Sequence, residues 1–140
     1  MDRIALYNEL YRYTKEYITE QSIYSPYVIK NSPTQSNSFP LVIFPKTKFI
    51  LDDETLKHGE RRYSVIIEIE IYAIDKTVAN KKVSKQTIIA ELEKLLYDVF
   101  EEHYGLQGET PNEIINADTN VSREVMRFTG KYKNNIFYRR

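Results

Sequence analysis

Residues 63–75 read YSVIIEIEIYAID, the strongest alternation of apolar and polar residues in the chain. In an extended strand, side chains point alternately to opposite faces, so Val65, Ile67, Ile69 and Ile71 share one face and Glu68 and Glu70 the other. A run of this length and β-branched content predicts a central strand of a sheet with one buried face. The question it raises is what two carboxylates do on the remaining face.

Same-face neighbours on a strand stand about 6.5 to 7 Å apart, a spacing that could hold a hard divalent cation or serve an acid/base pair. A metal-dependent nuclease would also want a lysine beside the second carboxylate. Ile71 and Tyr72 follow Glu70 instead, and Asp75 and Lys76 come too late. The plainer reading is a polar outer face on an antiparallel strand, available as an assembly surface. Arg123 and Arg127 share a face of the last long strand pattern and are candidate partners for the two glutamates. Such cross-strand charge pairs contribute only about 0.2 to 1 kcal/mol each, so their value would lie in register and specificity.

Outward from this strand, the chain has 140 residues, enough for one domain with a single core. Asp2 can cap a helix running to about residue 20, with Ile4, Tyr7, Tyr11 and Ile18 on one stripe and Leu6, Leu10, Tyr13 and Tyr17 beside it. Residues 24–30 read as a short strand and residues 31–38, NSPTQSNS, as a polar loop. Residues 39–51 are β-branched and aromatic, but Pro40 and Pro45 predict an edge strand, a bulged strand or two short ones. A charged turn spans 52–61, and residues 75–87 form a lysine-rich connection.

Ser84 can cap a second helix to His103, with Ile88, Leu92, Leu95, Leu96, Val99 and Phe100 as its apolar face and Gly105 as a left-handed stop. Residues 107–113 read as turn, 114–120 as a short strand, 121–132 as a strand, and the end as a weak strand or basic tail. The order α-β-β-β-α-β-β predicts an α+β fold: a mostly antiparallel sheet of four or five strands with both helices on one face.

Twenty basic residues balance twenty acidic ones, so the chain lacks the net positive field of a dedicated nucleic-acid binder. There is no cysteine for a disulfide, thiolate site or nucleophile, which fits a reducing compartment such as a cytosol. No stretch resembles a leader or a membrane span. Four glycines, at 59, 105, 108 and 130, make neither a dinucleotide turn nor a phosphate loop. His58 reads as turn surface and His103 as a helix-end residue, and no nucleophile elbow precedes a helix. No cofactor or metal site is expected. Lys76, Lys81, Lys82 and Lys85 form a mild basic cluster without the interleaved aromatics of a single-strand binding groove. Twelve tyrosines without tryptophan lean toward protein contacts.

Taken together, the N-terminal helix, the proline-broken strand, YSVIIEIEIYA, the helix ending YDVFEEHYG and the late SREVMRFTGKY strand resemble the tail terminator, or tail completion, proteins of long-tailed phages of Gram-positive bacteria. These are also described as minor capsid or head-to-tail joining proteins. The resemblance covers nearly the whole chain through soft motifs. It implies a non-enzymatic α+β subunit that forms a homo-hexameric ring at the head-proximal end of the virion tail. There it would stop addition of tail tube protein and meet the head-completion or connector protein, and DNA would pass through without specific binding.

On that reading Glu68, Glu70, Arg123 and Arg127 face a neighbouring subunit or the ring lumen, where carboxylates would repel passing phosphates. Ser36 and Asn37 in one loop, and Lys76, Lys81 and Lys82 in the other, are candidates to touch tube or connector. The alternatives are a head completion or stopper protein of the connector, a small metal-dependent nuclease using Glu68 and Glu70, or an interaction module unrelated to phage.

Overall fold

The computed structural model describes residues 2–30, 39–44, 47–52, 61–114, 120–133 and 135–139. The chain opens with helix α1 (Arg3–Gln21), which starts where the Asp2 carboxylate accepts the backbone N–H groups of Ile4 and Ala5. Strands β1 (Tyr27–Lys30), β2 (Leu41–Phe44), β3 (Lys48–Leu51) and β4 (Tyr63–Ala73) follow. A separate hairpin of β5 (Lys76–Val78) and β6 (Lys81–Val83) leads into α2 (Lys85–Tyr97), capped by Ser84. The chain closes with β7 (Gln107–Gly108), β8 (Asn112–Ile114), β9 (Ser122–Lys133) and β10 (Ile136–Tyr138).

The expected α+β class holds, with both helices on one face of the sheet. The strand count differs, because the outer rows of the sheet are assembled from fragments. β4 and β9 pair along their whole length, antiparallel, from Tyr63 opposite Tyr132 to Ala73 opposite Ser122. β2 and β3 occupy successive parts of the free edge of β4, so the segment pairs with the long strand as two short strands. β10, β7 and β8 likewise divide the free edge of β9. Among the described residues the main sheet thus has eight strands over an order β1-β2-β4-β9-β10, and β1 joins β2 in parallel rather than antiparallel.

Alternation in β4 is strict: Val65, Ile67, Ile69, Ile71 and Ala73 are buried and the residues between them half-buried. The helices cover the apolar side. α2 contributes Ile88, Leu92, Leu95, Leu96, Val99 and Phe100, as its 3.6-residue periodicity predicts. Each fully buried aliphatic or aromatic side chain contributes roughly 1.5 to 3 kcal/mol, far more than any one surface charge pair, so this core sets which face is left for other uses. α2 runs on through a wider π-helical turn, Asp98–His103, and ends at Gly105 with φ +72°. Bonds from Gly105 N to Glu101 O and from Leu106 N to Phe100 O close that end.

In α1 the buried row is Leu10, Thr14 and Ile18, and the tyrosines flank it. Ile4, expected on the apolar stripe, is 75% exposed in the first helical turn. The Tyr7 hydroxyl donates to Phe44 O, Tyr11 to Val28 O and Tyr17 to Asp98 Oδ2, tying α1 to β2, β1 and α2. Many tyrosines are therefore spent on internal stapling rather than on open surface.

Two further expectations change. Residues 107–113, read as turn, contribute β7 and the start of β8 to the edge of β9. The lysine-rich connection folds into the β5–β6 hairpin, with Ala79 and Asn80 both at positive φ in its turn and Val78 and Val83 packed against the core.

Candidate functional site

With α1 and α2 on the odd-numbered side of β4, the even-numbered side chains Ser64, Ile66, Glu68, Glu70 and Tyr72 face away from them. On β9 the register partners on this face are Lys131, Thr129, Arg127, Val125 and Arg123. The structure brings all four charged residues singled out in the sequence onto this one surface.

Glu68 and Arg127 stand directly opposite each other, and Arg127 Nη2 donates to Glu68 Oε1 at 2.8 Å. Arg123 reaches Glu70 along the diagonal: Nε donates to Oε1 at 3.0 Å, and Nη2 donates to the same oxygen. The Tyr72 hydroxyl is a third donor to that oxygen at 2.9 Å, and the Arg123 guanidinium lies 5.5 Å from the centre of the Tyr72 ring. Burial first, then the bond to and charge of Glu70, push the Tyr72 phenol up to about 12. For Arg123, burial works against the charge, but the bond to Glu70 and its charge outweigh it and raise the pKa.

A further rung was not foreseen from sequence. Asp52, just past β3, accepts from Arg62 Nε and Ser64 Oγ at 2.8 Å each and from Lys131 Nζ at 3.2 Å. The Ser64 bond first, and then Arg62 and Lys131, hold its carboxyl below the usual aspartate range against the opposing effect of burial. Tyr72 could have been found by alternation, two residues beyond Glu70. Asp52 could not, since its place depends on β3 pairing with the start of β4.

Chemically, each glutamate already has a guanidinium on it, so neither is an unengaged base. Among the described residues no group of three or more His, Asp or Glu is placed to hold a metal ion. His103 stacks on Tyr13 with ring centres 4.0 Å apart, and His58 lies outside the described residues.

Of the loop candidates, Ser36 and Asn37 lie outside the described residues. Lys76 is anchored, its Nζ donating to Tyr24 O at 2.9 Å. Lys81 and Lys82 are exposed on the hairpin. No described helix is long and apolar enough to cross a membrane.

Fold and face together define an α+β sheet-and-helix chain whose helix-free surface is a row of internally matched charges. No family model matches the chain, and no curated protein matches it.

Proposed function

We propose that this chain is a structural subunit of a phage tail, acting as a tail terminator: a homo-hexameric ring that caps the tail tube and joins it to the head connector. The observation that carries the reading is the helix-free face of β4 and β9, where Glu68, Glu70 and Asp52 are each matched to a cation of the same chain. A catalytic carboxylate pair needs at least one group free to take a proton or a metal. A contact face instead gains from charges that are already oriented.

The balance of charge also supports one of the two positions open to this face in such a ring over the other. Asp52, Glu68 and Glu70 are met by Arg62, Arg123, Arg127 and Lys131, so the surface would not act as an acidic lining that repels DNA. It suits a neighbouring subunit, with Ile66, Tyr72 and Val125 supplying half-buried apolar area between the charges. Closed rings repeat one heterologous contact, so this face needs a different, complementary surface on the next copy. A contact of standard size covers on the order of 800 Å² per partner.

The test is electron microscopy of lysates from a phage or prophage deleted for this gene. Overlong, headless tails are expected, and complementation with the natural chain restores normal length. Normal tails in the deletion overturn the proposal, and normal-length tails beside DNA-leaking heads point to a stopper of the connector instead.

A further inference from the structure

Arg123 and Glu124 are adjacent on β9 and point to opposite faces. Glu124 is the register partner of buried Ile71 on β4 and of Glu113 on β8, so it turns toward the helices. Its Oε2 atom is fully buried and has no hydrogen-bond partner. The groups acting on it from the packed elements are acidic or phenolic: Glu93 and, one turn on, Tyr97 from α2, and Glu113 from β8. β4 offers only Ile71. None of the ion pairs among the described residues reaches Glu124.

We propose that Glu124 and Glu93 share one proton, and that this proton fastens α2 and β8 against β9 as a pH-sensitive latch that opens as the pH rises. Two ionised carboxylates are both acceptors and cannot bond; adding one proton turns one of them into a donor. Burial, then the bond to and charge of Glu93, then the charge of Glu113, push Glu124 up to about 8.

A carboxyl raised in the folded chain adds stability that is complete below its ordinary value of 4.5. That stability declines through the interval up to about 8 and is gone above it. β8 covers the edge of β9 at residues 123–125, so opening the latch loosens the strand that also carries Arg123 to Glu70. Proton loss beneath the helices thus reaches the opposite face through two consecutive residues. The device stands independently of the tail-terminator reading.

The test combines carboxyl carbon NMR of the purified chain with amide hydrogen exchange at Asn112–Ile114 across the pH range, corrected for intrinsic exchange. Glu124 is expected to titrate near 8, and β8 protection to fall progressively by about tenfold or more between about pH 5 and pH 8, a figure discounted for the partial exposure of the pair. In Glu124→Gln the fall should shrink to less than about twofold, because no second charge can form. Should that variant fold poorly, Glu93→Gln is the second comparison: Glu124 then titrates lower, with burial still raising it, and the fall is smaller than in the natural chain. Titration of Glu124 in the ordinary glutamate range, or an undiminished fall in both variants, overturns the latch.

Discussion

Glu70 and Arg123 are joined across the β4–β9 pair without being register partners: Arg123 stands opposite Tyr72 and reaches Glu70 along the diagonal. The diagonal matters because it lets the guanidinium bond the carboxylate and lie near the tyrosine ring at once. Side-chain exposure is 29% for Arg123 and 19% for Glu70, against 48% and 39% for Arg127 and Glu68. The less exposed pair is less screened and leaves a worse-solvated charge behind when broken. Glu70→Gln is expected to cost about 1 to 2 kcal/mol, and Glu68→Gln under about 1 kcal/mol. Urea denaturation of both variants checks the order; equal costs would mean that the diagonal arrangement contributes nothing special.

Tyr72→Phe removes one donor from Glu70 Oε1 and keeps the ring beside Arg123. The expected cost is about 0.5 to 1.5 kcal/mol, the range for one hydrogen bond to a partner that keeps other donors. A second readout separates this bond from ring packing. The phenol is pushed up to about 12 by burial and then by Glu70, so in Glu70→Gln it should ionise at lower pH in an ultraviolet titration. An unchanged titration would show that burial alone sets it.

The core half of the fold was legible because it depends on periodicity: strict alternation located β4, and the 3.6-residue rhythm with Ser84 and Gly105 bounded α2. Glu68, Glu70, Arg123 and Arg127 could be placed on one face for the same reason, since face follows from parity once the strands are aligned. Which arginine meets which glutamate could not be read, because that needs the register. Short edge strands such as β7 and β8 carry too few residues for a pattern, and they exist because β9 offers an unpaired edge. The β5–β6 hairpin was masked by its lysines, which suggest a solvated loop, although Val78 and Val83 hold it to the core. Asp52 and Glu124 draw their unusual environments from residues distant in sequence, where local pattern has no reach.

Gly130 lies on β9 next to the end of its pairing with β10. A Cβ added there would meet the Tyr138 carbonyl oxygen well inside contact distance and Leu106 Cδ2 at 2.6 Å. Leu106 is fully buried, and the carbonyl belongs to backbone, so neither can simply swing aside. Gly130→Ala should therefore destabilise by about 1 to 3 kcal/mol, as overpacking does, despite the usual benefit of replacing glycine in a strand. Thermal unfolding checks it. Preferential loss of hydrogen-exchange protection at Ile136–Tyr138 would locate the strain, and a Gly130→Ala chain as stable as the natural one would contradict this packing.

Asp52 gives a prediction whose sign is opposite to that of Glu124. Its carboxyl is held below the ordinary value of 3.8, chiefly by Ser64 and then by Arg62 and Lys131. A depressed acid contributes stability that is present above its unfolded pKa and is lost as the pH falls through the folded one. Asp52→Asn should thus lower stability at neutral pH by about 1 kcal/mol, a figure reduced for solvent screening of the two cations. The difference should shrink below pH 3.8, where the carboxyl of the unfolded chain takes up its proton while the folded one still holds its charge, and should vanish as the pH falls through the lower folded value. Denaturation of both chains at neutral and strongly acidic pH measures this directly. Raising the salt to about 1 M at neutral pH should narrow the gap as well, since the Debye length falls to about 3 Å and partly exposed ion pairs are screened. A gap that stayed constant from neutral to acid would assign the loss to the Ser64 hydrogen bond geometry rather than to charge, and Ser64→Ala would then reproduce it without any dependence on pH.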